Sequence, residues 1–144
     1  MARLSGYTIQ PRSCGMQESD LLVYFKAIVR PVLEYACPVW HPGLTKAQSD
    51  LIEGQQRRAL RIIHPTLSYR EALAISGLQT LAARRDDICK KLFRDICQSD
   101  HKLHYLLPTA KTVPYHLQSL KLPVPKLKNK HFCSSFIIHS LLNY

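Results

Sequence analysis

The stretch from Ser19 to Trp40, SDLLVYFKAIVRPVLEYACPVW, restricts the fold of this chain more than any other. At about 100° per residue, Leu21, Leu22, Tyr24, Phe25, Ile28, Val29, Val32, Leu33 and Tyr35 cover nearly every direction around a helix axis. Only a narrow strip of Asp20, Lys26, Arg30 and Glu34 is polar, its last three members standing four apart along one edge. A helix apolar on most sides needs other elements around it, so this segment is expected as the central helix of a small all-α bundle. Pro31 removes the amide that would bond the Ala27 carbonyl and disfavours helical geometry at Arg30, so a kink or break is expected there. Pro38 and Pro42 are expected to end the helix.

The remaining elements announce themselves by their caps. Ser19 or Asp20 is placed to cap the central helix. Thr45 and Gln48 have capping-box spacing and open a second helix to about Ile63, with Leu51, Ile52, Ala59, Ile62 and Ile63 on its apolar face. Arg57 and Arg61 fall opposite, near Asp50 and Glu53, with Arg58 on the flank and Gln55 inside the apolar arc. Ser68 and Glu71 repeat the box for a short third helix that Gly77 terminates. Thr80 opens a fourth, from about Leu81 to Gln98, whose buried stripe reads Leu81, Ile88, Cys89, Leu92, Phe93 and Ile96. Three regions result: an irregular lead-in over 1–18, a helical bundle over 19–107, and a basic, mostly extended tail rich in proline and lysine over 108–144. The tail ends in a short apolar segment from Phe132 to Leu142 that is expected to dock on the bundle as a helix.

At 144 residues and 46% hydrophobic composition, one core is expected and a second independent one is not. Five irregularly spaced cysteines and the lack of an apolar segment after Met1 point to a reduced intracellular setting, nuclear or cytoplasmic. No apolar run approaches the roughly 20 residues of a membrane span, so no membrane partner is expected. Twenty Lys and Arg against ten Asp and Glu give a net charge of +10, and such an excess attracts polyanions by counterion release. RNA, DNA or an RNA–DNA hybrid, bound without sequence preference, is the partner this balance suggests; a charge excess that only keeps the chain dispersed is the alternative.

Two constellations are candidates for phosphate contact: Lys46, Arg57, Arg58 and Arg61 along the second helix, and Lys121, Lys126, Lys128 and Lys130 in the tail. The third helix, Gly77 and the fourth helix also have a helix-turn-helix outline, which would bring Gln79, Thr80, Ala83 and Arg84 near bases, although glycine turns between helices commonly serve packing alone. Arg85 falls inside the buried stripe of the fourth helix, where an isolated cation is costly, so a carboxylate is expected beside it. Glu71 is favoured over Glu34 because the connection is short. The adjacent Asp86 and Asp87 point about 100° apart on a helix and read as a solvated face, not a metal site. Cys97, His101, His104 and Cys89 lack the paired spacing of structural zinc ligands. No catalytic grouping, metal site or cofactor is expected for this chain alone.

The segments IVRPVLEYACPVWHPGLT, QSDLIEGQQRRALRII, SYREALAISGLQTLAARRDDIC and KNKHFCSSFI carry a family likeness. From about Cys14 onward the chain resembles the carboxyl-terminal part of the reverse transcriptases of jockey- and LINE-like non-LTR retrotransposons. Arg30-Pro31, Glu34-Tyr35, Pro38-Val39-Trp40, Gln56 through Leu60 and Leu81 through Arg85 are the residues that carry the likeness. The resemblance implies a thumb and post-thumb region whose helices grip template and primer beside a palm domain. This sequence contains neither the palm with its double-aspartate motif nor an endonuclease, so the resemblance implies a fragment of an RNA-directed DNA polymerase with no polymerase activity of its own. Residues 1–10 match poorly, and Gly54 stands where a better helix former is expected; both fit a decayed element. A protein-interaction module, its apolar surface once covered by the palm, is the competing reading.

Overall fold

A computed structural model of the chain describes residues 15–108, 122 and 134–144. Its regular elements among those residues are all helical: α1 Glu18–Tyr24, a π turn Phe25–Val29, α2 Arg30–Glu34, α3 Cys37–Trp40, a 3-10 turn His41–Gly43, α4 Lys46–Ile63, α5 Tyr69–Ser76, α6 Leu81–Ile96, a 3-10 turn His104–Leu106 and α7 Phe136–Asn143. The all-α expectation holds. The chain divides into two compact units: Met1–Tyr35 with Asp50–Leu81, and Ala36–Ser49 with Ala82–Tyr144.

Pro31 does not break the first helix. The chain stays helical from α1 into the π turn, where the Arg30 amide reaches back five residues to the Phe25 carbonyl. This wider turn places Pro31 in the first turn of α2, the position where a missing amide is tolerated. The helix stops instead at Tyr35, which turns extended with ψ 127°, and at Ala36, which is left-handed with φ 49°. Ala36 is the one non-glycine residue with positive φ among the described residues, a conformation that costs roughly 1–2 kcal/mol for a residue with a Cβ. Pro38, expected as a terminator, lies in the first turn of α3, and Pro42 lies in the 3-10 turn.

In the first unit Phe25, Leu60, Ile63, Ala72 and Leu78 form the core, flanked by half-buried Leu21, Leu22, Val29, Ala59, Leu67 and Leu73. Each large aliphatic or aromatic side chain removed from water there contributes about 1.5–3 kcal/mol. The helix expected at the centre is covered on one side only. Its opposite side leaves Val23, Tyr24, Ile28, Val32 and Tyr35 exposed, the last two at 73% and 80%. The polar edge is engaged: Arg30 Nε meets Glu34 Oε1 at 2.7 Å within the helix, and Lys26 Nζ donates to the Ser76 carbonyl at 2.9 Å, a cation at the carboxyl end of α5.

The caps of α4 and α5 form as expected. Thr45 N donates to Gln48 Oε1 at 2.9 Å, and Gln48 N donates to Thr45 Oγ1 at 3.3 Å. Ser68 and Glu71 exchange both capping-box bonds, and Gly77 closes α5 in the left-handed region with φ 60°. The buried face of α4 differs from the expected one. Glu53, Gln56, Leu60 and Ile63 are buried, whereas Leu51 is 71% exposed and Gln55 faces solvent. Polar residues take the buried positions because they are bonded: the Tyr69 hydroxyl donates to Glu53, and Gln56 Nε2 donates to the Tyr69 hydroxyl at 3.1 Å and to the Gln79 carbonyl at 3.0 Å.

The second unit is organised on α6. Arg85, Cys89, Phe93 and Ile96 recur at helical spacing as its buried stripe, with Ile88 and Leu92 half-buried beside them. The terminal apolar segment forms α7, as expected; Ile138 and Ser140 are buried, and α7 packs against α3. At its end the Tyr144 hydroxyl donates to Asp86 Oδ1, and the Tyr144 and Phe93 rings lie 6.4 Å apart.

Candidate nucleic-acid interface

α4 presents the first constellation. Arg57 and Arg61 are one turn apart, about 6 Å along the axis, and Arg58 lies beside them; all three are exposed. Among the described residues none of the three has a carboxylate within ion-pair distance. The Arg57 guanidinium lies 5.1 Å from the centre of the Tyr69 ring, so it is oriented while its donors remain available. Tyr69 is itself held by Glu53 and Gln56, and burial together with the Glu53 carboxylate raises its phenol to about 12. Sequence reasoning missed this platform because Arg57 and Tyr69 are twelve positions apart on different helices, a distance no helical period reports. Lys46 is exposed in the first turn of α4, which belongs to the second unit, whereas the three arginines belong to the first.

The second constellation, Lys121, Lys126, Lys128 and Lys130, lies outside the described residues. So do Arg3, Arg12 and Lys111, and these seven cations are accompanied there by no Asp or Glu. The described part of the first unit is charge-balanced, with Lys26, Arg30, Arg57, Arg58, Arg61 and Arg70 against Glu18, Asp20, Glu34, Asp50, Glu53 and Glu71. Most of the positive excess therefore belongs to residues 1–14 and 109–133.

Arg85 is fully buried, as the helical wheel predicts, but its neighbours differ from the expected one. Nη2 donates to Ser49 Oγ at 2.8 Å, Nε approaches His41 Nδ1 at 3.5 Å, and the guanidinium lies 5.7 Å from the Trp40 ring centre. Glu71 is fully solvated in its own capping box, where the Ser68 side chain and the Ser68 amide, by their hydrogen bonds, hold its carboxyl below the usual range. A local cap has claimed the carboxylate expected for Arg85. Burial, reinforced by the Arg85 charge, lowers the pKa of His41 so that it favours the neutral ring.

The helix-turn-helix outline straddles the division between the units. Gln79 and Ala83 are exposed, Thr80 and Arg84 half-buried, and the Gln79 carbonyl accepts from Gln56. Asp86 is engaged by Lys90 Nζ at 2.7 Å and by the Tyr144 hydroxyl; burial opposes its ionisation, yet these two bonds outweigh it and lower the pKa. His101 Nδ1 accepts the Leu103 amide, and His104 Nδ1 bonds the Ile96 carbonyl at the end of α6. Among the described residues no group of three or more His, Cys, Asp or Glu is placed to hold a metal ion, and no helix is long and apolar enough to cross a membrane.

No family model matches the chain, and comparison with curated proteins and with solved structures finds no match to it.

Proposed function

We propose that this chain is the thumb-like, nucleic-acid-binding part of an RNA-directed DNA polymerase of the non-LTR retrotransposon kind, acting inside the cell and without polymerase activity of its own. In this reading the first helix is the centre of a bundle completed by the palm, and basic side chains hold the backbone of RNA, DNA or an RNA–DNA hybrid without reading sequence. The observation that carries it is the exposed trio Arg57, Arg58 and Arg61 on one rigid helix, with Arg57 fixed over Tyr69 and none of the three ion-paired among the described residues. Phosphate contacts by such a face add electrostatic, sequence-indifferent affinity. The test is a variant with Arg57→Ala, Arg58→Ala and Arg61→Ala, titrated against an RNA–DNA hybrid at low salt. Affinity is expected to drop and the salt slope to shrink by nearly one for each phosphate the variant no longer neutralises, with helix content unchanged. Unchanged affinity would remove this face from the site.

A second reading has its own observation. The exposed stripe Tyr24, Ile28, Val32 and Tyr35 is the kind of apolar surface that marks a protein contact, here the palm or another protein. Absence of nucleic-acid binding even at low salt would favour that reading.

A further inference from the structure

The second unit contains a groove that none of the sequence motifs predicts. It has a volume of about 510 Å³, within the roughly 300–1,000 Å³ typical of small-molecule sites. Phe93, Arg94 and Gln98 of α6 and its end line one side, Asn143 and Tyr144 at the end of α7 the other, with Lys90 at the edge. We propose that this groove binds one nucleotide, its base against the Tyr144 ring and its phosphate on Arg94.

The Tyr144 ring is a fixed platform. Its hydroxyl is anchored on Asp86, its centre lies 5.4 Å from the Lys90 ammonium, and the His139 ring meets it edge-on at 5.9 Å. Tyr144 as a residue is 38% exposed, and a nucleobase has a π face to set against an aromatic ring. The two cations are not equivalent. Lys90 is committed to Asp86 at 2.7 Å, whereas Arg94 spends only Nε, on the Lys90 carbonyl at 3.4 Å, and its terminal nitrogens have no partner among the described residues. Arginine presents two parallel donors that suit a phosphate. The carboxamides supply the polar edge: Asn143 donates to the His139 carbonyl at 2.8 Å and keeps its oxygen available, while the Gln98 amide has no partner among the described residues. Together they offer a donor and acceptors of the kind that bond the edge of a base.

The same chemistry belongs to a free nucleotide and to an unpaired nucleotide of a strand. It is independent of the arginine face of α4, so a failure of hybrid binding there leaves it standing. The test titrates the full chain with adenosine 5′-monophosphate, with a single-stranded thymidine decamer and with inorganic phosphate, by calorimetry at low salt. Saturable binding of the mononucleotide marks a nucleotide pocket, and binding of the decamer alone marks a strand site; inorganic phosphate is expected not to bind. Arg94→Glu and Tyr144→Ala should each weaken binding roughly 5- to 100-fold, while Tyr144→Phe, which keeps the ring, should retain it. Arg94 is exposed, so its replacement leaves folding intact and carries the test if Tyr144→Ala loosens α7. The proposal is overturned if neither nucleotide probe binds, if phosphate binds as well as the mononucleotide, or if Arg94→Glu leaves affinity unchanged.

Discussion

Replacing Arg85 by lysine should destabilise the second unit by about 2 kcal/mol, although the charge is conserved. The bond from Nη2 to Ser49 Oγ, at 2.8 Å, is charge-assisted and of a kind worth about 1.5–3 kcal/mol. The cation above Trp40, at 5.7 Å, sits near the outer limit of a cation–π contact and adds about 0.5–1 kcal/mol. The approach to His41 at 3.5 Å is too long to count as a strong bond. An ammonium group is compact and more strongly hydrated, so it cannot serve Ser49 and Trp40 from one buried position. Arg85→Met removes the Ser49 bond and the cation over Trp40 together and should also lower the midpoint. Urea unfolding followed by the fluorescence of Trp40, the chain's one tryptophan, reports on this site directly. A lower midpoint at unchanged slope for Arg85→Lys is the expected result. Arg85→Lys within about 0.5 kcal/mol of the parent would refute the reasoning.

His41 has a folded pKa below its ordinary 6.5, because burial and the Arg85 charge oppose its protonation. Its contribution is fully present above that pH and is lost as pH falls below it, so the urea midpoint should drop on acidification and His41→Asn should flatten the drop. Tyr69 has the opposite sense: its folded pKa, about 12 against an ordinary 10.0, favours the protonated fold, so stability should fall as pH rises between those values. Tyr69→Phe should abolish that alkaline loss and, at neutral pH, cost about 1–3 kcal/mol in thermal unfolding by taking a partner from buried Glu53 and Gln56. Ala36→Gly should raise the melting temperature, because relief of the left-handed strain, about 1–2 kcal/mol, exceeds the added freedom of the unfolded chain. A lowered melting temperature would show that position to be unstrained.

Most parts of the fold legible in the sequence are those whose physics is local, although α1 opens at Glu18 behind Gln17 without a side-chain cap, where Ser19 or Asp20 was expected to cap it. The Thr45–Gln48 and Ser68–Glu71 boxes and the Gly77 terminus need only a few neighbouring residues to specify them, and each forms where it was read. Arg85 was legible as buried because its neighbours on α6 share one helical stripe, but its partner was not. A carboxylate close in sequence was assigned to it, and that carboxylate serves its own cap. Pro31 was read as a kink or break; the helix does not break, and the π turn that absorbs the proline leaves no residue-type signature. Glu53 was read on the side of α4 opposite the apolar face; it and Gln56 are buried where Tyr69, on another element, meets them. Apolarity on most sides of the first helix was read as burial, and here Val23, Tyr24, Ile28, Val32 and Tyr35 remain exposed. The arginines of α4 were legible as an exposed face, while the tail lysines and their charge excess lie outside the described residues.

The central claim is that this chain holds nucleic-acid backbone by charge, and its most direct test is affinity for an RNA–DNA hybrid measured across a salt series. The chain is compared with a variant carrying Lys121→Gln, Lys126→Gln, Lys128→Gln and Lys130→Gln, which keeps α7 and its Tyr144 to Asp86 bond in place. The account predicts that the logarithm of the binding constant falls linearly and steeply with the logarithm of salt, alike for unrelated sequences, and that the slope is shallower in the variant. No binding at low salt, or binding that does not weaken as salt is raised, would contradict it.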